Sequence, residues 1–285
     1  MSRIVYVNGE YLPEEDAKIS IFDRGFLMAD GVYEVTSVID GKLIDYAGHE
    51  VRLKRSLGEL RMDHACSDEE LLAAHRGLME KNNLDNGMIY LQITRGNAGD
   101  RDFVWAEGAP STIVMFTQAK DLVNSPAAKT GLKVISIHDE RWGRRDIKTT
   151  QLLYPSFCKM EAKAAGKDDA WLTDDEGLVN EGTSNNAYII KDGVIITRHL
   201  SNDILHGITR AAVLRFAKEA QMKVEERAFT VAEAQAADEA FVTAASTFVT
   251  AVVEIDGVTL GEGVPGPVAN RLREIYIEES KAAGV

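Results

Sequence analysis

Two short segments hold the side chains best suited to chemistry. The first, Arg145-Asp146-Ile147-Lys148-Thr149-Thr150, has one lysine in a polar stretch beside Arg141, Arg144 and Arg145. The second, Asn180-Glu181-Gly182-Thr183-Ser184-Asn185-Asn186, has one carboxylate at the foot of a turn of small residues. A lysine amine condenses with an aldehyde once it reaches its neutral form, which neighbouring cations and partial burial favour. A carboxylate beside a pyridine nitrogen keeps that nitrogen protonated, so the ring can accept electrons. These are the two side chains that pyridoxal phosphate requires of a protein. Taken singly, each also has an ordinary reading. Lysine is mostly a solvated residue, and Glu181 follows Asp174, Asp175 and Glu176 in an acidic chain.

A phosphate needs fixed donors. Leu205-His206-Gly207-Ile208-Thr209-Arg210 opens an amphipathic run, Thr209 to Ala220, with Val213, Phe216, Ala217 and Ala220 on one face. The start of such a helix offers free N–H groups and a favourable dipole to an anion.

Other elements must place these segments. Asn8-Gly9, Asp40-Gly41, Asp192-Gly193 and Asp256-Gly257 each sit between apolar or alternating runs and predict tight hairpins. Residues 32–39, 88–94 and 111–118 read as strands, and 46–61 as a helix with Leu53, Leu57 and Leu60 at helical spacing. A second helix spans 68–82, with Ser67 as its cap. Residues 120–131 are polar and small and include Pro126, which reads as a linker. Beyond it, 132–137, 170–173 and 187–190 read as strands, and 155–165 and 267–282 as helices. Strands and helices mix without regular βαβ alternation. The expectation is therefore an α+β fold of two domains: 1–120 as a small N-terminal domain, 121–131 as linker, and 132–285 as a large C-terminal domain carrying Lys148.

Composition removes several function classes. The 285 residues carry a net charge of −13, against a generic nucleic-acid or anionic-membrane surface, since both need a basic face. A hydrophobic content of 45 % is ordinary for a globular chain with a real core. Cys66 and Cys158 fit neither a disulfide framework nor a zinc site and read as free thiols of a reducing cytoplasm. The N-terminus enters a strand-like run directly, so no signal peptide is expected, and no apolar run is long enough to span a membrane. Gly261-Glu262-Gly263-Val264-Pro265-Gly266 is literally a G-x-G-x-x-G, but too little chain follows it for a dinucleotide-binding unit; it reads as a helix entry. The six histidines show no HExxH and no cysteine partner at ligand spacing, so no metal is expected.

The segments around Lys148, Glu181 and Ile208-Thr209, together with Phe22-Asp23-Arg24-Gly25-Phe26, Asp30-Gly31-Val32-Tyr33-Glu34 and His49-Glu50-Val51-Arg52-Leu53, make the chain resemble the class IV (fold-type IV) aminotransferases. Within that group it resembles the D-amino-acid transaminases, and the resemblance runs from about Tyr6 to the final helix. It implies a two-domain homodimer with pyridoxal 5'-phosphate between the domains. The implied reaction is ping-pong transamination between a D-amino acid and a 2-oxo acid such as 2-oxoglutarate or pyruvate. It also implies roles. Lys148 holds the cofactor and shuttles the proton, and Glu181 partners the pyridine nitrogen. Arg52, Ile208 and Thr209 hold the phosphate, Leu205 packs under the ring, and Tyr33 faces the substrate. Ala245 falls where a further phosphate threonine is usual, leaving Ser246 or Thr247 to replace it. In the loop after Thr94-Arg95-Gly96, Arg101 matches the arginine that binds the substrate carboxylate, whereas Phe103 stands where a histidine is usual. A branched-chain L-amino-acid transaminase, an (R)-selective amine transaminase and aminodeoxychorismate lyase share this fold and remain alternatives. Losing a carboxylate donor at Phe103 suits an amine without a carboxylate.

Overall fold

The computed structural model describes residues 2–97, 99–105 and 107–285. The chain forms two compact units: residues 1–121 with 147–151 and 283–285, and residues 122–146 with 152–282.

The first unit contains β1 (Ile4–Val7), β2 (Glu10–Pro13), α1 (Arg24–Met28), β3 (Gly31–Ile39), β4 (Lys42–Leu43), α2 (Tyr46–Glu59), α3 (Asp68–Asn82), β5 (Gly87–Thr94) and β6 (Thr112–Ala119). Its strands form one six-stranded sheet in the order β2-β1-β6-β5-β3-β4. Val32, Ile89, Leu91, Ile93 and Met115 of that sheet bury against Leu53 and Leu57 of α2 and Leu71 and Leu78 of α3. Helix α3 starts with a full capping box: Ser67 Oγ accepts from the Glu70 N–H, and the Glu70 carboxylate accepts from the Ser67 N–H.

The second unit contains α4 (Pro126–Thr130), β7 (Leu132–His138), α5 (Leu153–Ala164), β8 (Asp169–Thr173), β9 (Val179–Gly182), β10 (Asn186–Lys191), β11 (Val194–Thr197), α6 (Ile208–Glu219), β12 (Lys223–Glu226), α7 (Val231–Gln235), β13 (Glu239–Ala244), β14 (Phe248–Ile255), β15 (Val258–Thr259) and α8 (Pro267–Ala283). Its nine-stranded sheet runs β12-β11-β10-β13-β14-β7-β8-β9, with β15 paired to β14. Val134, Trp171, Ile189, Val242, Val252 and Phe229 build its core.

All four predicted hairpins form, joining β1 to β2, β3 to β4, β10 to β11 and β14 to β15. In each, both turn residues have positive φ, as at Asp192 (49°) and Gly193 (75°). The expected linker holds the short helix α4. The expected C-terminal domain also divides differently, because residues 147–151 belong to the first unit. Pairing is the reason. The Tyr33 N–H donates to the Lys148 carbonyl (3.0 Å), the Thr150 N–H donates to the Gly31 carbonyl (3.0 Å), and Ile147 joins the core of the first unit. Lys148 is thus carried beside β3 rather than by the C-terminal unit.

Candidate active site

In the first unit, the pairing of residues 147–151 with β3 fixes the Lys148 backbone. Its Nζ lies over the Tyr33 ring, 4.1 Å from the centroid. Among the described residues no carboxylate pairs with that amine. Tyr33 is itself stacked on Tyr90 (5.6 Å between centroids), and Tyr90 on Phe116 (4.9 Å). Alternate positions on β3 face opposite ways, so Glu34 points away from Tyr33. The buried Glu34 accepts from Arg52 Nε (2.8 Å) and Nη2 (2.7 Å) and meets His49 Nδ1 at 2.8 Å. Burial alone would raise this carboxyl. The Arg52 guanidinium and the bonds from Arg52 and His49 together outweigh it and hold Glu34 well below the usual carboxylate range. The two parallel bonds fix the plane of Arg52.

A folded-state carboxyl depressed in this way adds stability above its ordinary pKa near 4.5 and loses it as pH falls below that value. Glu34→Gln is therefore expected to cost about 3–5 kcal/mol at pH 7, as removal of one partner of a buried ion pair does. The variant should also lose less stability than the parent on acidification below pH ~4.5. Urea unfolding at neutral and acid pH measures both effects; equal acid sensitivity in the two proteins would contradict the Glu34–Arg52 account.

The second unit carries Glu181 on β9. The carboxylate is buried: Oε1 accepts from Arg141 Nη1 (2.8 Å), and Oε2 accepts from the Leu205 N–H (3.0 Å) and Asn186 Nδ2 (3.0 Å). Arg141 is clamped in turn by Asp139, through Nε at 2.9 Å and Nη2 at 2.8 Å. Burial raises the Glu181 pKa, and the Arg141 guanidinium only partly offsets it. A carboxylate kept basic in this way is a strong proton partner for a nitrogen base. Gly207 must be glycine for a reason of space: a Cβ there would collide with Asn186, which ties Glu181 to the Leu205 carbonyl.

Asp139, Asn186, Glu34 and His49 carry no local sequence signal for these parts. The three arginines near Lys148 in sequence also behave otherwise than expected. Arg141 pairs with Asp139 and Glu181, Arg144 with Asp146 (3.0 Å), and Arg145 with Asp139 (3.1 Å), so each cation is matched by a carboxylate.

The helix-start and turn residues fit a phosphate. Helix α6 begins at Ile208 with no side chain capping its first N–H groups. Thr209 Oγ1 and Thr247 Oγ1 are buried without a hydrogen-bond partner. Ser246 and Thr247 lie in the turn between β13 and β14. Buried hydroxyls normally have a partner, and these two, among the residues expected to hold phosphate, keep free donors suited to an anion. The G-x-G-x-x-G segment differs. The N–H groups of Val268 and Ala269 at the start of α8 donate to Glu239 (3.0 Å each), which fills the anion position with a carboxylate of the chain itself.

Arg101 and Phe103 lie in the loop between β5 and β6. Both are exposed, with the Arg101 guanidinium 5.0 Å from the Phe103 ring centroid. Arg24, Arg101, Asp102, Val104 and Trp105 help line a cavity of about 330 Å³ in the first unit. Among the described residues no helix is long and apolar enough to cross a membrane, and no cluster of three or more His, Cys, Asp or Glu is placed to hold a metal.

The chain is similar to known proteins over nearly its whole length. The D-alanine aminotransferase of Staphylococcus haemolyticus is 38 % identical over 271 residues, 95 % of each chain. That of Bacillus licheniformis is 36 % identical over 271 residues, 94 % of each. Among solved structures, a T.th. branched-chain amino acid aminotransferase with pyridoxamine 5'-phosphate has a TM-score of 0.90 at 29 % identity, covering 99 % of this chain and 95 % of that one. The Escherichia coli branched-chain enzyme has a TM-score of 0.91 at 25 % identity, covering 98 % and 95 %. The profile of amino-transferase class IV matches residues 31–255, and the chain belongs to that family.

Proposed function

We propose that this protein is a pyridoxal-phosphate-dependent transaminase that moves an amino group between a D-amino acid, such as D-alanine or D-glutamate, and a 2-oxo acid, such as 2-oxoglutarate or pyruvate. The observation that carries the reading is the Lys148 amine, set over Tyr33 on a backbone pinned to β3, with no carboxylate partner among the described residues. An amine not tied to an acid is available to attack a carbonyl. The D-amino-acid assignment is supported by the D-alanine aminotransferases, which are 36–38 % identical to this chain. The two branched-chain structures stand at 25 % and 29 %.

When bound, the cofactor supplies an electron sink conjugated to the substrate α-carbon. Lys148 holds the cofactor between turnovers and moves a proton between Cα of the substrate and C4′ of the cofactor. Glu181, kept basic by burial, holds a proton at the pyridine nitrogen. Arg52, Ile208 and Thr209, with Ser246 or Thr247, bind the phosphate; Leu205, whose N–H anchors Glu181, packs under the ring. Tyr33 faces the substrate. The protein acts as a cytoplasmic homodimer, without nucleic-acid or membrane partners.

Arg101 binds the substrate carboxylate without the usual histidine, and Phe103 adds apolar surface in its place. Charge-assisted bonds are worth about 1.5–3 kcal/mol, and each ~1.4 kcal/mol is tenfold. Arg101→Ala should therefore raise KM for D-alanine at least ~10-fold while hardly changing (R)-1-phenylethylamine, which has no carboxylate. An equal loss on both amines would point to a structural role.

The overall reading is tested by mixing holoenzyme with D-alanine, D-glutamate, L-leucine or (R)-1-phenylethylamine and following loss of the bound cofactor's visible absorbance. Response to L-leucine and not to D-alanine would replace the D-amino-acid reading with the branched-chain one.

A further inference from the structure

Arg273, on α8, is buried, and its four hydrogen bonds end on backbone carbonyls rather than on a carboxylate. Nη1 donates to the carbonyls of Thr247 (2.6 Å) and Val249 (2.7 Å), and Nη2 to those of Leu122 (3.0 Å) and Val123 (2.8 Å). A guanidinium is costly to bury without a counter-ion, so its place here calls for an explanation. Two of the carbonyls it grips bracket the end of the turn between β13 and β14. There Phe248 takes a left-handed conformation (φ 58°) that disfavours side chains with a Cβ, and Thr247 Oγ1 is left buried and unpartnered. The Phe248 ring lies 5.5 Å from the Arg273 guanidinium and 5.5 Å from the Tyr276 ring, one helical turn further along α8. Tyr276 also meets Phe216 of α6 (6.4 Å), the helix whose start carries the second orphan hydroxyl, Thr209. One helix therefore braces both elements that present unsatisfied hydroxyls.

We infer that Arg273 is a positioning residue for the cofactor phosphate. It locks the Ala244–Phe248 turn so that the Thr247 hydroxyl is presented to the phosphate at no reorganisation cost. The inference rests on the reading that this turn and the start of α6 hold the phosphate. A planar fork of donors suits four carbonyls on two segments; a lysine offers only a point charge with three donors.

The test compares apoenzyme affinity for pyridoxal phosphate with that for unphosphorylated pyridoxal, in Arg273→Met, Arg273→Gln and Thr247→Val, with thermal midpoints measured alongside. Arg273→Met should weaken pyridoxal phosphate by about tenfold, the scale of one lost charge-assisted bond. Pyridoxal binding should stay within about twofold of the parent, because no phosphate is read. Arg273→Gln, which keeps an amide donor, should fall between parent and Met variant, and it stands in for the Met variant if that one does not fold. Equal weakening of both ligands would make Arg273 a purely structural residue and overturn the inference, as would no change in either. Thr247→Val separates the two ideas. If it is selective against the phosphorylated ligand while the Arg273 variants are not, the positioning role alone fails. If neither is selective, the phosphate reading of this turn fails as well.

Discussion

Lys148→Ala is expected to abolish transamination and to leave no residue through which borohydride can fix the cofactor covalently to the protein. The amine is held by a specific backbone arrangement, with the Tyr33 N–H on the Lys148 carbonyl and an antiparallel bridge between Val32 and Thr149. A second lysine brought in from elsewhere would not inherit that placement. The effect should be on chemistry and not on folding, because the β3 pairing uses only the Lys148 backbone. Peptide mapping after borohydride reduction gives the decisive measurement. Normal covalent yield on another lysine in the variant would remove Lys148 from the reaction.

Glu181→Gln is expected to keep the cofactor bound and to slow proton abstraction by ~10²-fold or more, the scale of general acid–base contributions. Glutamine preserves the shape, but its single carbonyl oxygen can accept either from Arg141, the donor to Oε1, or from the Leu205 N–H and Asn186, the donors to Oε2, and not from both. It cannot carry the negative charge that holds a proton at the pyridine nitrogen. It also leaves Arg141 with Asp139 as its remaining carboxylate partner, so some stability should be lost. Stopped-flow measurement of the half-reaction with D-alanine, beside the thermal midpoint, separates the two effects. Near-parental half-reaction rates would mean that Glu181 does not serve the ring nitrogen.

Much of the local architecture is legible in the chain. Hairpin turns at Asn8-Gly9, Asp40-Gly41, Asp192-Gly193 and Asp256-Gly257 follow from the need for positive φ at two successive residues, which those dipeptides meet cheaply. Helix α3 occupies its expected span because its capping box and its buried Leu71, Ala74, His75 and Leu78 agree on one frame. The amphipathic run at Thr209 likewise becomes α6, starting one residue earlier at Ile208.

Chemistry-bearing residue types are also apparent, since a lysine and a glutamate set in distinctive polar segments stand out in any reading. Their surroundings are not. Arg52 is expected as a phosphate donor; the partner that sets its plane, Glu34, lies on a strand eighteen positions earlier and meets it only through the packing of α2 on β3. Arg141 and Arg145 look in sequence like cations available to Lys148 and are instead spent on Asp139. The unit to which Lys148 belongs differs from expectation for the same kind of reason. Sequence position puts residue 148 beyond the linker, but the backbone hydrogen bonds of a β-bridge ignore chain distance and carry it to β3. Types, turns and helix frames are local properties of a chain. Ion-pair partners, the raised basicity of Glu181 and the buried grip of Arg273 depend on which distant segments come to share a desolvated space, and only the folded packing sets that.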